Sequence, residues 1–133
     1  MPVASLSYMA DAALWGGRAW GYHLTNVAFH AANAALLYVL IVELLAKGRP
    51  RTADRAAAAF GALFFALHPL RVESVAWIAE RRDVLCGFFS LWTLLCWVRA
   101  ARAEAARAAR LRAGALAAFL LALLSKSAAM PLP

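Results

Sequence analysis

A chain of 133 residues has room for one domain, and with 65% apolar residues, 16% charged ones and a mean hydropathy of +0.67 it lies outside the range of soluble globular domains. A net charge of +7 and an isoelectric point near 10.5 raise nucleic acid as a partner. However, nine of the fourteen Lys and Arg sit in two short links between apolar stretches, where membrane topology puts them, and no aromatic platforms accompany them. The sequence therefore predicts an all-α membrane protein, a bundle of about four transmembrane helices solvated by membrane lipids, with no nucleic-acid partner.

Residues 1 to 21 lack the basic start, apolar run and small-residue cleavage site of a signal peptide, and Trp15 and Trp20 read as interface anchors. The first apolar segment, about 22–45, is long enough to span with tilt. Within it His23, Asn26, His30 and Asn33 recur at spacings of three, four and three, which puts them on one polar stripe facing away from lipid. For Asn26 and Asn33 the expected role is hydrogen bonding to neighbouring helices, whereas His23, near the outer surface, is open to either packing or binding. Two His seven residues apart are too far from each other to share a metal without further ligands, so no metal site is expected.

Further apolar segments follow at about 56–67, ended by His68-Pro69, at about 84–98, and at about 113–132, broken by Ser125-Lys126-Ser127. Cys86 and Cys96 lie ten residues apart on one helix, roughly 15 Å, too far to bridge, and read as free thiols. The basic links at 47–55 and 99–112 are placed in the cytoplasm by the positive-inside rule, the second as a helical link resting on anionic headgroups. The stretch 68–83 balances Arg71, Arg81 and Arg82 against Glu73, Glu80 and Asp83 and is placed outside. Residues 1 to 21 are then outside as well, which leads us to expect a further helix upstream.

The segment 68–85, HPLRVESVAWIAERRDVL, carries six ionisable side chains besides His68. Read as a short helix after Pro69, it puts Glu73, Trp77 and Glu80 on one face, with Arg82 opposite and Arg81 and Asp83 on the flanks. Glu80 and Arg82 read as solvated interface charges. Apolar stretches of twelve to fifteen residues cover only about 18 to 22 Å of a core roughly 30 Å thick. His68, Asp83 and Lys126 are therefore expected at one buried level, in a recess open to the outside. Glu73 and Asp83 beside the cations His68, Arg71, Arg81 and Lys126 are the parts for group transfer from a phosphorylated lipid: carboxylates to take a hydroxyl proton, cations to hold phosphate.

These residues carry a resemblance. WGYHLTNVAFHAANAALLYVL, then LFFALHPLRVESVAWIAERRDVLCGFFSLWTLL, then LLSKSAAMPLP are similar to the membrane half of the transmembrane and tetratricopeptide-repeat O-mannosyltransferase family. His68-Pro69, Val72-Glu73 and the Arg81-x-Asp83 motif match best, Ser125-Lys126 less closely. The resemblance implies a partial GT-C-type fold, a polyprenyl-phosphate-linked sugar donor, commonly mannose, and transfer to Ser or Thr hydroxyls of an acceptor protein on the extracytoplasmic side. It also implies an upstream helix and acidic loop and downstream repeats, so the chain reads as a fragment, inactive by itself; Asp11 matches a stretch beyond that loop and is not its acidic pair. The alternative is a non-enzymatic bundle, a transporter or flippase fragment, although internal symmetry is missing; a purely structural subunit would hold no recess. Ala and Arg richness points to a bacterial genome of high G+C content, hence to an inner membrane.

Overall fold

The computed structural model describes residues 1–46, 48–69, 77–126 and 129, and among these the chain is helical with no strand. Helix α1 (Pro2–Trp15) is followed by α2 (Ala19–Leu45) and α3 (Thr52–Leu67); a short 3-10 turn, Ile78–Glu80, then leads into α4 (Arg81–Ala100) and α5 (Ala105–Ser125). Three of these, α2 with 27 residues, α4 with 20 and α5 with 21, are long and apolar enough to cross a membrane. The protein is an all-α membrane protein.

The distribution of polarity is the reverse of a soluble fold. The largest fully buried side chains are Arg81, Asn26 and Ser125, while Phe60, Phe64, Leu67, Leu116 and Leu120 are 59 to 76% exposed. Such an apolar exterior belongs in lipid, where polar groups must find each other inside the bundle.

Helix α2 lies centrally, with α3 on one side and α4 on the other; α5 packs chiefly on α4, and α1 crosses the beginnings of α2 and α4 and meets α5. The turn between α1 and α2 is fixed by Gly21, which is buried under Trp15: an added Cβ would stand 2.3 Å from the indole Cγ. Trp15 in turn meets Trp20 edge to face at 4.9 Å. Helix α3 starts on Asp54, whose carboxylate accepts the Arg51 backbone N–H at 2.9 Å ahead of the apolar stretch. That bond, assisted by the Arg51 side chain, holds the Asp54 carboxyl below its ordinary value, and the negative charge suits a helix N-terminus.

Several boundaries differ from the expected ones, for physical reasons. Residues 2–15, read only as an outer lead-in, form α1. The link 99–112 is not one helix: α4 ends at Ala100, residues 101–104 turn, and Ala105 onward is already α5, because Ala and Arg are strong helix formers that continue into the apolar run. Helix α4 likewise begins at Arg81 rather than near Val84. With 20 and 21 residues, α4 and α5 each cover about 30 Å, a full hydrocarbon thickness. The short-span argument that put Asp83 and Lys126 deep in the membrane therefore falls: Asp83 is in the first turn of α4, and Lys126 caps the last turn of α5. The helix proposed after Pro69 lies outside the described residues over 70–76, and the rest of it is divided between the 3-10 turn and the first turn of α4.

Candidate functional site

Two groups of polar side chains are assembled where α4 begins. The first is centred on Arg81, whose side chain is entirely buried. Its Nε donates to Asn26 Oδ1 at 2.7 Å, Nη2 to the Tyr22 carbonyl at 2.8 Å and Nη1 to the Ser7 carbonyl at 3.4 Å. Nη1 also forms an ion pair with Asp11 Oδ2, and the guanidinium stands over the Tyr8 ring at 4.7 Å. Asp11 Oδ1 accepts from Thr25 Oγ1 at 3.0 Å. Burial raises the Tyr8 phenol above its ordinary value, against the pull of the Arg81 charge, so the phenol keeps its proton and donates it to the Ile78 carbonyl. Asn26 completes the lock with its Nδ2, which donates to the Trp77 carbonyl at 3.3 Å. One arginine thus ties α1, α2 and the start of α4 together, and the surrounding bonds fix the turn before it.

The second group is an ion pair between Asp83 and Lys126, with side chains 25% and 36% exposed. Each charge has the sign favoured by its helix end, a carboxylate at the N-terminus of α4 and an ammonium at the C-terminus of α5. Asp83 also borders a cavity of about 280 Å³ between α2, α3 and α4, into which His30, Asn33 and Ser90 contribute polar groups. Asn33 Nδ2 donates to the Val84 carbonyl at 3.0 Å, and Gly87 permits this approach, since a Cβ there would lie 3.3 Å from that nitrogen. His30 Nε2 meets the Ala66 carbonyl at 3.1 Å, and its ring stacks on Phe65.

The expected site residues are therefore distributed as follows. Asp83 and Lys126 are brought together. Asn26, His30 and Asn33 face the bundle interior, but His23 is exposed and leaves the polar stripe. Arg81, expected among the cations that hold phosphate, is sealed inside, its donors turned to the protein. His68 caps α3 beside Phe64, at a ring distance of 5.1 Å, in a hollow shared with Phe60, Leu63, Leu67 and Pro69 and separate from the cavity at Asp83. Arg71 and Glu73 lie outside the described residues. Glu80 and Arg82 pair at 3.4 Å near the surface. Sequence reasoning missed Tyr8, Asp11 and Thr25; the available signal was a lone carboxylate three residues after a Tyr on an otherwise apolar helix.

The relatives of this chain bear on the same region. The mouse and human proteins named protein O-mannosyl-transferase TMTC2 are each 36% identical to it over 98 residues, 74% of the chain. The human protein O-mannosyl-transferase TMTC4 is 30% identical over 108 residues, 76% of the chain. The chain belongs to the TMTC-type protein O-mannosyl-transferase family. It spans 11% of the length of TMTC2 and 15% of TMTC4. No family model matches it, and no solved structure matches it significantly. These TMTC relatives are animal proteins and give the expected bacterial inner membrane no support.

Proposed function

We propose that this chain forms part of a GT-C-type membrane glycosyltransferase that moves a sugar, mannose, from a polyprenyl-phosphate donor to Ser or Thr hydroxyls of an acceptor protein on the extracytoplasmic face. The observation that carries the reading is the partly exposed Asp83–Lys126 pair beside a cavity, in a chain whose relatives are named protein O-mannosyl-transferases. In the proposed step the acceptor oxygen bonds to the anomeric carbon and the bond from that carbon to the phosphate oxygen breaks. The electron pair leaves with the polyprenyl phosphate, steadied by Lys126 and Arg71, while the hydroxyl proton passes to a carboxylate, Glu73 or Asp83. Arg81 acts as a positioning residue: it holds the turn that feeds Asp83 into α4.

The test is a chimaera in which this chain replaces the matching segment of mouse TMTC2, reconstituted with polyprenyl-phosphate mannose and a Ser/Thr peptide. The chimaera transfers mannose. Glu73→Gln and Asp83→Asn each lower turnover about a hundredfold or more, and Glu80→Gln leaves it near wild type. A folded chimaera in which all three variants turn over equally overturns the assignment.

A further inference from the structure

The cavity between α2, α3 and α4 can be read by what its walls can donate and accept. Asn33 is 2% exposed, and its Nδ2 faces the Val84 carbonyl, an acceptor only, so the amide orientation is fixed and Oδ1 is the free end. That Oδ1 is buried and without a hydrogen-bond partner among the described residues. His30 Nε2 meets a carbonyl too and therefore carries a hydrogen that is already used there. Asp83 can only accept, and its charge is already matched by Lys126. Among the described lining residues, Ser90 can both donate and accept, and Asn33 Nδ2 keeps one N–H beyond the one given to Val84.

The Asp83 carboxylate and the unpaired Asn33 Oδ1 make this wall a poor place for phosphate, an anion that brings acceptors only. The walls have no net charge left for an organic cation, and among the described residues no three His, Cys, Asp or Glu are grouped to hold a metal. A neutral ligand carrying several hydroxyls satisfies them. The volume, about 280 Å³, is several times the roughly 30 Å³ of a liquid water and below the range of drug-sized pockets, which suits one ring.

We infer that this cavity is the subsite for the sugar ring, with Asn33 Oδ1 the specificity-determining acceptor of one ring hydroxyl and the phosphate lying outside it, toward Lys126. The inference rests on the glycosyltransferase reading and adds where the sugar sits and what recognises it. It divides the site into an acceptor-lined part for hydroxyls and a cationic part for phosphate.

The test is a titration of the full chain in nanodiscs with methyl mannoside, its monodeoxy analogues and, separately, inorganic phosphate. Asn33→Leu removes the acceptor, and Ser90→Leu fills the floor while leaving the Asn33–Val84 bond intact, so the second variant decides if the first does not fold. Each weakens mannoside binding about tenfold or more and leaves phosphate binding at the wild-type level. One monodeoxy mannoside binds wild type and Asn33→Leu equally weakly, since the hydroxyl that Asn33 accepts is already gone. Equal mannoside binding by wild type and Ser90→Leu, or no mannoside binding by wild type, overturns the subsite. The glycosyltransferase reading is decided separately, by mannose transfer in the TMTC2 chimaera.

Discussion

A guanidinium sealed from solvent has to be matched by a carboxylate and by oxygen acceptors, and Arg81 finds Asp11, Asn26 and two backbone carbonyls. The sequence marked Arg81 as ionisable and important but not its direction: Arg81 and Arg82 are adjacent, about 100° apart on a helix, and which of them points inward depends on where α4 begins. A start near Val84 leaves both in a connector, whereas a start at Arg81 turns one into the bundle and the other toward Glu80 at the surface. The stability consequence is specific. Arg81→Ala leaves Asp11 buried and unpaired and costs about 3 to 5 kcal/mol, while Arg81→Met combined with Asp11→Leu costs clearly less than the two single changes summed. Reversible unfolding in mixed micelles measures the cycle, and strict additivity would show that the two charges are not coupled.

At the level of elements, α5 owes its place to small residues. Ala108, Ala115, Ala118 and Ala122 are buried and follow one another at seven, three and four, a stripe that lets the α4 backbone come close, with Thr93 of α4 donating to the Ala115 carbonyl at 3.4 Å. Ala122 is 0% exposed and sits with Cys86 in the small apolar core. Ala122→Leu therefore has nowhere to put three extra carbons and destabilises the α4–α5 pair by about 1 to 3 kcal/mol, whereas Leu116→Ala on the 60% exposed face leaves it nearly unchanged. Thermal melting in detergent distinguishes the two, and similar losses would mean that α5 packs by another face. Hydropathy located the apolar part of this helix; it missed the first two turns because the arginines there resemble a link, although their helix propensity favours continuation.

For the whole molecule, side-chain pairs decide which helix ends lie together. Glu43, near the end of α2, accepts from Arg99 Nε at 2.9 Å and stands 3.6 Å from Arg102, where α4 ends, so the two basic links share one end of the bundle. At the other end Tyr22 and Asn26 meet Arg81, and Asp83 meets Lys126, so the starts of α2 and α4 lie with the end of α5. Sequence reasoning reached the same pairing from charge counts alone, because the positive-inside rule acts on links regardless of how the helices pack, but the Asp11–Arg81 contact across seventy residues was beyond it. The positive-inside rule predicts that the arginine-rich end lies in the cytoplasm. After Cys86 and Cys96 are replaced by Ser, a membrane-impermeant maleimide should modify Gly17→Cys in intact cells and spare Ala101→Cys, with both labelled once the membrane is opened. Labelling of Ala101→Cys alone would invert the topology and place the Asp83–Lys126 end in the cytoplasm, away from any acceptor on the outer face.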